Sequence, residues 1–297
     1  MAEATNQSTE QSTSQTALPP VIVRLPEGEG LPLVCDSPHS GTVYPADFGA
    51  AVPPARLRGG EDTHVDALWE AVPAAGGTLL AATFPRVYID PNRMADDIDP
   101  DQLDGRWPSA LAPGPKTRLG YGLIWSRMDA STPIYDRRLP VAEVQARIER
   151  YYRPYHAALA GAVEGAYQRF GAVWHLNLHS MPNNAYERLK IESPHPLADF
   201  VLGDRDGTTC EPGLVELVER ELRGMGYTVA RNDPYKGVQL IAQIGRPAER
   251  RNSLQIEIRR PLYMDEVTRE RNAGFDSLQH DLGRLTGEVA AYIRAQL

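Results

Sequence analysis

The chain has 297 residues, 42% of them hydrophobic, which suffices for one substantial core. Its formal net charge of −8 argues against nucleic acid or an anionic membrane surface as a main partner, and no apolar run approaches the roughly 20 residues that span a bilayer. The two cysteines, Cys35 and Cys210, make no disulfide framework, so a reducing cytoplasm is the simplest setting.

Residues 1–19 are rich in Ser, Thr, Gln and Ala and lack the charged-then-apolar pattern of a signal peptide. They read as a disordered tail ahead of a single domain over 20–297. Val21–Arg24 and Leu33–Cys35 read as strands, and Pro38 and Gly41 then break the chain around His39. A helix is expected over Val65–Val72, where Leu68 and Val72 share a face, with Gly76-Gly77 ending it. Thr78–Thr83 and Arg86–Ile89 read as short strands. Residues 92–138 are charged and rich in Pro and Gly, with little periodicity; so long a loop region in a globular enzyme is more often functional than accidental. Val141–Phe170 has helical spacing, with Pro154 a point where it could break. Gly171 stops it, and strand Ala172–Leu178 follows. Phe200–Leu202, Tyr227–Ala230 and Ser253–Ile258 read as strands, Gly213–Arg223 as a helix, and Asp265–Leu297 as a closing helix. Strands alternating with helices make an α/β fold.

Two of the strand segments end in the same dipeptide: Leu31–Ser40 (LPLVCDSPHS) and Gly171–Ser180 (GAVWHLNLHS). Strand C-termini in α/β sheets open into the crevice where ligands bind, so His39 and His179 are candidates for one cleft. Imidazole is the commonest protein ligand for a transition metal. Zinc hydrolases hold the ion with three protein side chains and leave a fourth position for water. The third ligand is sought in GGEDTHVDAL, where Asp62 stands at an expected helix start that favours a carboxylate. Glu61 is its rival and His64 a further candidate. His156, His175 and His195 read as structural. In SLQIEIRRP, Glu257 lies inside an alternating apolar strand: either a salt bridge to a nearby Arg, or a general base tuned by partial burial. Arg93 follows Asn92 at the end of an apolar run and presents a planar fork suited to a carboxylate; the alternative is an Arg tied to Asp90, Asp96 or Asp97. Arg86, Arg127, Arg246 and Lys236 are other candidate anion contacts.

The segments SPHSG (37–41), EDTHVDALW (61–69), RVYIDPNRMADD (86–97), RPYHAAL (153–159), LNLHSMP (176–182), DFVLGDRDGTTC (199–210), YKG (235–237) and QIEIRRPLYM (255–264), in that order, resemble the N-formylglutamate amidohydrolase family. The resemblance implies hydrolysis of N-formyl-L-glutamate, a small acidic N-acyl amino acid, to formate and L-glutamate, late in one route of histidine degradation. The order His, acid, Asn-Arg, His, Glu is also similar to that of zinc carboxypeptidases, which implies a three-layer α/β/α sandwich with a mixed central sheet. By this resemblance His39, Asp62 and His179 are ligands of one Zn²⁺, Glu257 is the base, and Arg93, assisted by Asn92, anchors a substrate carboxylate. Lys236 and Ser180 complete the expected substrate contacts. Zinc carboxypeptidases keep the acidic ligand three residues after the first His; here that position is Thr42, so Glu61 and Asp62 both stay open. Many family members have Asp where this chain has Asn177, which accepts a hydrogen bond but carries no charge.

Two further readings compete. One is a related metal amidase or peptidase acting on another N-acyl compound or small peptide, since an N/O ligand set also takes manganese, cobalt or nickel. The other is a binding module for acidic ligands without chemistry, against which the joint presence of His39, Asp62, His179 and Glu257 argues. A serine nucleophile is disfavoured: there is no GxSxG elbow, and Ser40 or Ser180 beside a strand His points to the opposite face. Oligomeric state leaves no signal.

Overall fold

The computed structural model describes residues 18–297, so the expected tail falls almost wholly outside the described residues. Seven strands form one mixed sheet: β1 (Val21–Arg24), β2 (Leu33–Ser37), β3 (Thr78–Ala82), β4 (Val173–Met181), β5 (Phe200–Gly203), β6 (Val229–Arg231) and β7 (Arg251–Arg259). Their spatial order is β1-β3-β2-β4-β7-β5-β6. The four central strands run parallel. β1 is antiparallel to β3 and β5 antiparallel to β7, while β6 runs parallel to β5.

Side-chain alternation assigns each residue to a layer. Leu33, Cys35, Trp174, Leu176, Leu178, Leu254, Ile256 and Ile258 share a core with the helices Pro212–Gly224 and Phe275–Gln296. The last helix earns its place by spacing: Phe275, Leu278, Leu282, Leu285, Val289 and Ile293 form one apolar stripe. Burying each such side chain stabilises the fold by about 1.5–3 kcal/mol. On the opposite face Val34, Leu80 and Val173 pack with Tyr155, Leu159 and Val163 of helix Arg153–Phe170 and with loop residues such as Phe84, Tyr88 and Leu123. The result is the expected three-layer α/β/α sandwich.

Several elements differ from the sequence expectation. Arg86–Ile89 is a turn, closed by Tyr88 N–H to the Pro85 carbonyl; Val87, Tyr88 and Ile89 are buried there without joining the sheet. The Val65 helix stops at Leu68. No break occurs at Pro154: Val141–Arg147 runs through one wide turn, Ile148–Tyr152, into Arg153–Phe170, where Pro154 occupies the first turn and its missing N–H is tolerated. The closing helix begins only at Phe275, because the Asp265 carboxylate accepts the N–H groups of Val267 and Thr268 and holds a turn instead. Helix Gln239–Ile244 was not anticipated. Among the described residues, no helix is long and apolar enough to cross a membrane.

Candidate active site

Three adjacent strands carry polar side chains on one face. In β4 the alternation sends Leu176 and Leu178 into the helix-covered core and His175, Asn177 and His179 to the other side. β7 repeats the pattern with Ser253, Gln255 and Glu257. The register sets His175 beside Ser253, Asn177 beside Gln255 and His179 beside Glu257; Asp36 of β2 lies beside Asn177. All are buried, which is tolerable only when their polar atoms are bonded. Asp36 accepts hydrogen bonds from Asn177 Nδ2 and His175 Nε2, both at 2.8 Å, and from the Tyr155 hydroxyl. Burial would raise the Asp36 carboxyl, but these bonds outweigh it and hold it below the usual range. His175 is thereby structural, as expected.

His39 arrives on a loop. Gly41 lets that loop close onto the Thr83-Phe84 backbone, since a Cβ there would collide with the Phe84 carbonyl. The Asp62 N–H donates to the His39 carbonyl at 2.9 Å and ties the two loops together. His39 Nδ1 stands 3.4 Å, and His179 Nδ1 3.1 Å, from the same oxygen, Asp62 Oδ2. One ligand-type atom from each of the three residues lies within 4.8 Å of the others.

The outer nitrogen of each imidazole is occupied. His39 Nε2 meets Asp90 Oδ1 at 2.8 Å, and His179 Nε2 meets Asn177 Oδ1 at 2.7 Å, with Asn92 Nδ2 at 2.9 Å. Both acceptors favour the tautomer with the Nδ1 lone pair directed at Asp62. Among the described residues, His39 Nδ1 finds no hydrogen-bond partner, although it is buried. A cation bridging His39, Asp62 and His179 would satisfy that atom, so the donor set fits a divalent metal. Burial opposes ionisation of Asp62, yet the adjoining His179 and His39 imidazoles, and Arg260 at 2.9 Å from Oδ1, hold its carboxyl well below the usual range. Asp90 is likewise held down despite burial, by Arg86 first and then His39; it also accepts Asn92 N–H and Trp125 Nε1–H.

Glu257 behaves in the opposite way. Burial pushes it up to about 7; the Asp62 charge adds to the rise while His179, Arg86 and Arg260 oppose it. Its carboxylate accepts one hydrogen bond, from Gln255 Nε2 at 3.0 Å. The salt bridge allowed by the sequence does not form: Arg259 pairs with Asp199 and Arg260 with Asp62.

His39, Asp62, His179, Glu257, Asn92, Arg93 and Ser180 all border one cavity of about 160 Å³, room for a small molecule rather than a folded partner. Arg93 is half-buried; its Nε and Nη1 donate to the carbonyls of Tyr121 and Asn92 rather than to Asp90, Asp96 or Asp97. Ser180 Oγ accepts from Arg260 Nε. Asn92 contacts His179. Glu61 is drawn away by Tyr44, Thr63 and Arg58, and His64 bonds the Arg269 carbonyl, so Asp62 is the acid beside the histidines.

Lys236 is the exception among the nominated residues. Its exposed Nζ pairs with Asp206 at 2.9 Å, so although Tyr235 and Val238 border the cavity, Lys236 does not. Arg127 and Arg246 lie outside as well, bonded to Ala130 and Glu249, whereas Arg86 does line the cavity. Sequence reasoning missed Lys116, Arg188, Gln255 and Arg260, which also border it. For Gln255 and Arg260 a signal existed, because both flank Glu257 in the QIEIRR segment; Lys116 sits in an aperiodic loop with none.

The profile of the N-formylglutamate amidohydrolase family matches residues 31–264. Over 245 residues the chain is 28% identical to N-formylglutamate deformylase of Pseudomonas putida, covering 80% of this chain and 83% of that protein. The crystal structure of an N-formylglutamate amidohydrolase from Ralstonia eutropha JMP134 is 82% identical, with a TM-score of 0.94, covering 94% of this chain and 100% of that one. A crystal structure from Agrobacterium tumefaciens, 20% identical and covering 93% of this chain and 96% of that one, shares the fold with a TM-score of 0.61.

Proposed function

Because this chain belongs to the N-formylglutamate amidohydrolase family, we propose that it hydrolyses N-formyl-L-glutamate to formate and L-glutamate, using one divalent metal, zinc by preference, held by His39, Asp62 and His179. The observation that carries the reading is convergence: the buried His-Asp-His group, Glu257 and Arg93 border the same small cavity.

When bound, the metal supplies Lewis acidity, bringing the pKa of water toward neutrality and polarising the formyl oxygen. Asp90 and Asn177 hold the two imidazoles in register, and Arg260 holds Asp62. Glu257 accepts the proton from the attacking water on a carboxylate oxygen, then delivers it to the departing nitrogen as the C–N bond breaks. A carboxylate that borders the cavity beside the His-Asp-His group is placed for both transfers. Arg93 orients the substrate by one of its carboxylates, and Asn92 and Ser180 line the path. The formyl group is small, so the amino-acid half supplies most of the binding energy.

Strands from both ends of the chain enter one sheet, which supports treating 20–297 as one domain. Both cysteines are free and buried, consistent with a cytoplasmic setting. The test is formate release from a panel of N-acyl amino acids with parallel metal analysis. N-formyl-L-glutamate is expected to be the preferred substrate; preference for an acetyl or peptidyl substrate would replace this reading with that of a related amidase.

A further inference from the structure

The cations around the cavity are not equivalent. Arg86 is committed to Asp90 and Arg260 to Asp62. Arg93 is partly committed to backbone carbonyls. Arg188 also borders the cavity, on the side of Tyr235, whereas Lys116 is near enough to Arg93, Arg86 and Glu257 to feel their charges. Lys116, on the helical turn Pro115–Arg118, borders the same cavity while remaining solvent-accessible, and its ammonium pairs with no carboxylate among the described residues. A lysine merely solvated at the surface would not share a cavity wall with Arg86, Arg93 and Glu257.

Building on the assignment of N-formyl-L-glutamate as substrate, we propose that Lys116 binds the side-chain carboxylate of the substrate while Arg93 takes the α-carboxylate, so that Lys116 selects for an acidic side chain. The division follows from position. The α-carboxylate sits on the carbon that bears the scissile nitrogen, and Arg93 adjoins Asn92, which touches His179. The second carboxylate lies two methylenes further out, where an accessible ammonium on a flexible four-carbon stem reaches it. Partial burial, with the Arg93 and Arg86 charges, lowers the Lys116 ammonium to about 8, against the opposing charge of Glu257. It remains mostly charged at neutral pH, in a positive field that an incoming carboxylate relieves. The lysine expected for this task from the sequence, Lys236, already has Asp206 as a partner.

The test compares kcat/KM for formate release from N-formyl-L-glutamate and from N-formyl-L-glutamine, near-isosteric substrates that differ in side-chain charge. The metal-loaded wild type, Lys116→Met and Lys116→Arg are measured, with thermal melts to verify folding. Lys116→Met is expected to lose about ten- to a hundredfold more on the glutamate substrate than on the glutamine substrate, mainly through KM, with Lys116→Arg retaining most of the preference. Equal losses on both substrates, or an intact preference in Lys116→Met, would overturn the role of Lys116 while leaving the deformylase reading standing. A wild type that releases formate from neither substrate overturns that underlying reading instead.

Discussion

His179 and Glu257 stand on adjacent parallel strands whose register fixes their separation, whereas His39, Asp62, Arg93 and Lys116 come from loops held by hydrogen bonds to one another and to the sheet. The two halves also support their imidazoles differently. On the strand side His179 leans on a neutral amide, Asn177, which Asp36 orients from beneath. On the loop side His39 leans on a full carboxylate, Asp90, which Arg86, Trp125 and the Asn92 backbone hold in place. The difference has a physical logic. A strand already restricts its side chains, so a dipole suffices to set a tautomer. A loop gains its order from the charged hub that sets the tautomer, so orientation and loop structure depend on the same residue.

The largest expected effects come from removing one imidazole from either half. His39→Ala and His179→Ala should each abolish metal retention and activity; stoichiometric metal in either purified variant would remove that histidine from the ligand set. Next in size is Glu257, the strand-borne carboxylate proposed as the base. Glu257→Gln should keep its metal and lose roughly 10²–10⁴ in turnover. Near-normal turnover would mean that proton transfer belongs to another group.

The supports sharpen the comparison further. Asp90→Asn should weaken metal binding by about ten- to a hundredfold, read by competitive titration with Co²⁺, and should also lower the melting temperature, because its carboxylate is the hub of the loop half. Asn177→Ala should fall at the lower end of that range, since it removes a dipole rather than a charge. Equal losses in the two variants would show that charge on the supporting residue does not matter.

The smallest effect concerns pH. In metal-free protein Glu257 is pushed above its ordinary range to about 7, so the folded state binds its proton more tightly than the unfolded one. The associated stability is fully present below the ordinary carboxylate range and is lost as pH rises through about 7. Glu257→Gln should therefore gain stability relative to the wild type as pH is raised from about 5 to about 8. A stability difference that does not change with pH would mean that the buried carboxyl is not raised.

The same contrast explains what could be read from the sequence. The strict alternation HLNLH and SLQIE set faces without any structure, and with it the placement of His179 and Glu257 on one side of the sheet. The two His-Ser endings were also informative, because strand ends open into clefts. The loop half was less legible. Asp62 and Glu61 are adjacent, and only the competing bonds of Glu61 to Tyr44, Thr63 and Arg58 separate their roles. Arg86–Ile89 looked like a strand because buried loops and strands have the same apolar content. Lys236 and Lys116 could not be ranked from sequence, since what divides them is a carboxylate 30 positions away that occupies only the first.

The central claim is metal-dependent deformylation, and the most direct measurement is formate and glutamate release from N-formyl-L-glutamate before chelation, after chelation and after zinc is restored. The account predicts equimolar formate and glutamate, activity lost with the metal and regained with it. Hydrolysis that survives complete metal removal, or a metal-loaded protein that releases no formate, would contradict it.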